Sequence, residues 1–172
     1  MLGQVAHIDG LVTGADGACL ENLEVWQPAP GTSILLEMGD ISMKVRNVVF
    51  RGLDDHAAVG IRAAGLASMQ TTVIEGCMFT GLGTGIEVWG ALPRIRRCWF
   101  EDMAVAGVAI RGSGPVSGSL GDVADSGSGY NTFRITGPGA VAVLNERADT
   151  ARSRRISMAC IPLPRSRRAT TP

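Results

Sequence analysis

Apolar and polar residues alternate in short runs along this chain, and the runs recur. Between Val45 and Gly112 three passages share one layout: VRNVVFRG…GIRA, IEGCMFTG…GIEV and IRRCWFED…GVAI. Each holds an apolar position, a short polar corner, an alternating strand ending in Phe, a turn, and a Gly that opens a second alternating strand. A period of 2 predicts β-strands. Looser copies lie on either side, LENLEVW…SILLE before and GYNTFRI…GAVAV after. The residues closing the first strand are Val25, Phe50, Phe79, Phe100 and Phe133, spaced by 25, 29, 21 and 33 residues. Helical repeats hold a fixed period, whereas a coil of strands and loops absorbs insertions while its strands stay stacked. The expectation is therefore an all-β parallel solenoid of about five coils.

Stacking the coils sorts the residues into columns. Leu20, Val45, Ile74 and Ile95 point inward, as do Leu23, Val48, Cys77, Cys98 and Asn131, and then the Phe series. Between them an outward column, Glu21, Arg46, Glu75 and Arg96, alternates in charge sign from coil to coil. At the parallel strand spacing of about 4.8 Å, opposite charges become neighbours. On the second strand, Ile34, Ile61, Ile86 and Val108 form one inward column and Leu36, Ala63, Val88 and Ile110 another. Leu35, Arg62, Glu87 and Ala109 point out between them. Ile8, Leu11 and Val12 are the expected inward residues of an incomplete first coil.

The repeats resemble the "I-x-N-x-x-F-x-G…G-I-x-V" coils of the right-handed parallel β-helix, or pectin-lyase-like, superfamily. The matching residues are Val45, Asn47, Phe50, Gly52, Gly60 and Ile61; Ile74, Gly76, Cys77, Phe79, Gly81, Gly85 and Ile86; and Ile95, Cys98, Phe100, Gly107 and Val108. The likeness covers roughly residues 11–145. It implies a right-handed helix and a polysaccharide as partner, with glycoside hydrolase or polysaccharide lyase chemistry. By analogy of fold it also implies an extracellular, cell-surface or virion-surface setting. The same superfamily includes non-catalytic tailspike and adhesin modules, which is the alternative function, and a truncated fragment without activity is a further one. Lyases of this fold hold calcium on clustered aspartates, and no compact group of three or more falls on one strand face here, so no cofactor is expected unless the chain is a lyase.

The chain has 172 residues and 23 glycines, which suits one turn-rich domain. Sixteen basic and sixteen acidic residues cancel, so no global field recruits nucleic acid, and no apolar run reaches a membrane span. A signal peptide is absent from MLGQVAHIDG. The expected division is a β-helix domain over 1–145 and an Arg-rich, disordered tail over 146–172, with six Arg between Arg152 and Arg168. The glycine- and serine-rich stretch 112–129 reads as a loop leaving the wall. Solenoid ends need caps, and none is legible. A fragment of a longer solenoid, or a protomer covered by a second copy or a flanking domain, is expected.

The candidate chemistry gathers on the turn between the two strands. GLDDHAAVG supplies Asp54, Asp55 and His56; two coils later EDMAVAG supplies Glu101 and Asp102, with Thr80 and Thr84 between. Two rungs separate these acids by about 9.6 Å, close to the roughly 6.5–9.5 Å of an inverting glycosidase. Asp at such turns also serves turn geometry alone. Arg62 and Glu87 either bind a uronate carboxylate or pair with each other. Trp89, near Arg111, and Trp26, beside Arg51, offer indoles for stacking on sugar. Trp99 continues an outward apolar stripe, Val49, Met78 and Trp99, that needs cover. Cys77 and Cys98 are neighbours close enough for a disulfide, with buried thiols as the other reading; Cys19 and Cys160 have no evident partner. No Cys or His spacing points to a metal.

Overall fold

The computed structural model describes residues 5–31, 33–65, 71–112, 120 and 129–147. Its strands are β1 (Ala6–Asp9), β2 (Val12–Thr13), β3 (Cys19–Glu21), β4 (Leu23–Trp26), β5 (Ile34–Met38), β6 (Lys44–Arg46) and β7 (Val49–Arg51). They continue with β8 (Val59–Gly65), β9 (Val73–Glu75), β10 (Met78–Gly90), β11 (Arg94–Arg96), β12 (Trp99–Arg111), β13 (Thr132–Arg134) and β14 (Val141–Asn145). Every pairing is parallel and joins one coil to the next, which makes the chain a parallel β-solenoid. A four-stranded sheet, β3-β6-β9-β11, is the first wall. The second wall runs β1, β4, β7, the first half of β10 and of β12, then β13. The third runs β2, β5, β8, the second halves of β10 and β12, then β14. About four complete turns result, one fewer than the sequence pattern implies, because β1, β2, β13 and β14 have no counterparts in the first wall among the described residues.

The Phe column is the axis of the core. Phe50, Phe79, Phe100 and Phe133 are register partners in turn, and their rings stack at 5.0, 4.8 and 4.7 Å with interplanar angles of 5 to 6°. The ring spacing equals the rung spacing, so the backbone itself sets the stack. Space for three of the four rings comes from a glycine on the facing wall. A Cβ at Gly60 would lie 2.8 Å from the Phe79 ring, at Gly85 2.7 Å from Phe100, and at Gly107 2.6 Å from Phe133. The repeated Gly before Ile61, Ile86 and Val108 is thus the partner of a Phe. In the first coil Val25 stands in the Phe column, and Leu35, fully buried between the paired Ile34 and Leu36, holds the position that Gly60 has in the next coil.

That corrects the expected placement of the Ile34–Met38 strand. Leu36, not Ile34, pairs with Ile61; Met38, not Leu36, pairs with Ala63; Glu37, not Leu35, pairs with Arg62. A slip of two residues keeps Leu36 and Met38 on the inward face, so alternation alone cannot tell the registers apart; Leu35 and Ala109, expected to point out, are fully buried. The first-wall columns hold as expected, Leu20 to Val45 to Ile74 to Ile95. Ile8 and Leu11 are exposed instead of buried, with only Val12 packing against the core. Cys77 and Cys98 are buried free thiols, and burial pushes the Cys98 thiol well above its usual range. The stretch 112–129, apart from three residues, and the tail from 148 onward, with Cys160, lie outside the described residues.

The corner after the first wall is left-handed in every coil: Asn22, Asn47, Gly76, Arg97 and Tyr130 have φ of 50 to 64°. Each of the first four donates its N–H to a carbonyl one coil on, and Asn47 Nδ2 donates to Asn22 Oδ1 at 3.2 Å. Asn and Gly are the residues that visit this region at least cost.

Candidate functional site

The second corner, between the second and third walls, is where the coils differ most. In the third and fourth coils it is no turn at all, because β10 and β12 run straight through it for 13 residues each. They bend at Gly81 (φ 65°) and Asp102 (φ 57°). In the second coil β7 ends at Arg51, and residues 52–58 loop outward before β8. Overhang and bent wall together enclose an open cleft of about 550 Å³. It is lined by Pro30, Arg51, Asp54, Asp55, Thr80 and Asp102, among others, so four consecutive coils contribute.

Of the five expected catalytic residues, Asp54, Asp55 and Asp102 line this cleft, and His56 bonds to one of them. Asp54 faces it with a carboxylate that makes no hydrogen bond or ion pair among the described residues. Asp102 is an exposed left-handed residue at the bend, where a Gly stands in the coil before. His56 spans from the loop to that bend: Nε2 lies 2.9 Å from Asp102 Oδ2 and Nδ1 2.8 Å from the Asp54 carbonyl oxygen. Both partners are acceptors, so the ring makes both bonds only as imidazolium. The Asp102 carboxylate, chiefly, raises the His56 pKa against the opposing effect of partial burial.

Asp55 has a different occupation. The Gly31 N–H donates to Asp55 Oδ2 at 2.5 Å, and the Ala57 N–H and Gln27 Nε2 each reach Oδ1 at 3.3 Å. The Gly31 hydrogen bond, chiefly, lowers its pKa. Buried Gln27 completes the clamp by donating to the Ala29 and Gly31 carbonyls and accepting from the Leu53 N–H at 2.9 Å. Gln27 and Asp55 therefore tie the 27–31 segment of one coil to the overhang of the next. Sequence reading missed Gln27, a residue just past the end of β4 that carries no periodic signal. Glu101 lies off the cleft and pairs with Arg134 on the following coil at 2.9 Å.

The expected substrate-binding residues are brought together, but on the third wall and largely with each other. Glu87 is a register partner of Arg62, and its carboxylate is nearly buried. Arg62 Nε donates to Glu87 Oε2 at 3.0 Å, Arg111 pairs with the other oxygen, and Arg111 also pairs with Glu146. Mutual pairing is thus the arrangement realised. Trp89 stands exposed between Ala64 and Arg111. Trp26 is less available than its exposure implies. His7 stacks on it at 5.3 Å from the β1 side, and the Arg51 guanidinium lies 5.7 Å from its centroid on the β7 side. Among the described residues no three His, Cys, Asp or Glu side chains are placed to hold a metal ion, and no helix is long and apolar enough to cross a membrane.

Fold and cleft together define a parallel β-solenoid with an acidic corner cleft. No protein family model, no curated protein and no solved structure matches the chain.

Proposed function

We propose that this solenoid binds an extended polysaccharide along its axis, with the corner cleft as the central subsite. The reading is carried by the cleft's construction: Pro30, Arg51 with Asp54, Thr80, and Asp102 come from four successive coils. Polar groups repeat there at the rung spacing of about 4.8 Å, so consecutive sugars of a chain would meet consecutive coils. Asp54 and Asp102 are the two carboxylates that glycoside hydrolysis would use. Asp55 is held by Gly31 and Gln27, and Glu101 by Arg134. The resemblance to right-handed β-helix proteins supports the same substrate class, and a surface exposed to polysaccharide outside the cell suits it.

Affinity electrophoresis through gels containing neutral and uronate glycans tests this directly. At least one glycan should retard the protein, and Asp102→Asn together with Asp54→Asn should weaken retardation by about tenfold, the worth of one or two charged hydrogen bonds. Reducing ends and unsaturated products, followed in parallel, separate hydrolase, lyase and binding module. Retardation by no glycan, or by one that the double variant binds equally well, would sink the reading. The second reading, a structural or adhesin shaft, draws on Trp99, exposed at the end of the half-buried Val49 and Met78 stripe. It requires a stable oligomer in sedimentation that Trp99→Ser dissolves.

A further inference from the structure

The zero formal charge of the chain conceals a separation of charge between walls. The outward positions of the first wall run Cys19, Lys44, Val73, Arg94 in one column and Glu21, Arg46, Glu75, Arg96 in the next. Arg97 follows at the corner. Among the described residues of this wall and its corner, five cations thus stand beside two carboxylates. Lys44, Arg94 and Arg97 are exposed, and neither Lys44 nor Arg94 has an ion-pair partner among the described residues. One carboxylate, Glu75, sits among Arg46 at 3.9 Å, Arg96 at 3.0 Å and Arg97 at 3.5 Å. Arg46, Asn47, Glu75, Gly76 and Arg97 line a shallow depression of about 380 Å³. The acidic cleft lies at a different corner, between the other two walls.

We infer that the outer face of the first wall is a docking track for a linear, negatively charged glycan, separate from the cleft. The inference rests on the polysaccharide reading for the partner's class and on the wall for its charge. The strip is three residues wide, about 10 Å, while its four rungs span about 14 Å along the axis. A single polymer strand fits such a strip better than the broad surface of a membrane or a nucleic-acid duplex. None of the eight outward strand positions is aromatic, and a single-stranded nucleic acid relies on stacking platforms. Guanidinium forks donate to sulfate-ester and uronate carboxylate oxygens alike, so both sources belong in the test.

The test compares wild type with the double variant Arg94→Gln, Arg97→Asn. Arg97 occupies a left-handed corner where Asn22 and Asn47 stand in earlier coils, so the asparagine suits the backbone. Retention on dextran sulfate, polygalacturonate, neutral dextran and single-stranded DNA would be measured at rising salt. Retention on dextran sulfate or polygalacturonate should exceed that on neutral dextran, fall as salt screens the charges, and weaken by about tenfold in the variant. Whichever anionic glycan is held more tightly identifies the anionic group. Neutral glycan binding at the cleft should be unchanged in the variant. If neutral glycans bind and anionic ones do not, the track is overturned and the cleft reading stands. Retention by no glycan overturns both, and variant-sensitive retention on DNA alone overturns the glycan assignment of this face.

Discussion

At the residue scale, the repeat is a pairing of one ring with one missing side chain. Phe79, Phe100 and Phe133 fit because Gly60, Gly85 and Gly107 have no Cβ to meet them. Gly85→Ala would put a methyl 2.6 Å from the Gly107 carbonyl oxygen and 2.7 Å from Phe100. It should cost about 1–3 kcal/mol in urea denaturation, the usual penalty of overpacking. Gly39→Ala, where nothing lies within 4 Å, should change stability little. Phe79→Ala removes a fully buried ring from the middle of the stack and should cost about 3–5 kcal/mol. A Gly85→Ala midpoint equal to that of Gly39→Ala would refute the pairing. His56 makes the second prediction. Its folded pKa is raised by Asp102 above the unfolded value of about 6.5. The stability it contributes is complete below that value and fades as pH rises through the folded pKa. NMR titration should therefore place His56 above 6.5 in the wild type and lower in Asp102→Asn. The variant's stability should also change less between pH 6 and 8.

At the element scale, what the sequence made legible depended on period and charge. The Phe column, the first wall and the Arg62–Glu87 pair were readable because an alternating strand carrying an opposite charge on each rung has one sensible register. The Ile34–Met38 strand was not, since its run of three apolar residues fits two registers. In sequence the long strands β10 and β12 look like strand, turn and strand, because Gly81 and Asp102 resemble turn residues when their neighbours in space are unknown. The cleft was half visible: Asp54, Asp55, His56 and Asp102 announced themselves by type. That Asp55 binds Gly31, and that Glu101 turns toward Arg134, depends on loops whose path no periodicity encodes. The third-wall network yields its own prediction. Glu87→Gln would leave Arg62 and Arg111 facing each other across a nearly buried amide. Since both arginines retain some solvent, a loss of about 1–3 kcal/mol is expected, measurable by denaturation at low salt. No loss would mean the ion pairs only decorate the wall.

At the scale of the whole molecule, a solenoid has no single centre. Each coil touches only its neighbours, so stability adds along the axis in a nearly one-dimensional way. Cohesion is nonetheless uneven here. Phe50, Phe79 and Phe100 are completely buried, Phe133 only partly, and Ile8, at the other end of the same column, is exposed. Rungs β7, the first half of β10 and the first half of β12 should then open only in global unfolding, while β1 and β13 open locally at far lower cost. Hydrogen exchange resolved by residue tests this. Amides of Phe50 and Phe79, in the middle rungs, should be the slowest, with those of β1 and β13 faster by orders of magnitude. Asp55→Ala should leave that ranking intact while hastening exchange at Gly31, whose N–H loses its acceptor. Its effect should appear above the lowered Asp55 pKa and vanish as pH falls through it, because protonation removes the same carboxylate from the wild type. Uniform protection along all the rungs would contradict a core concentrated on the Phe stack and return the stabilising role to the backbone ladders alone.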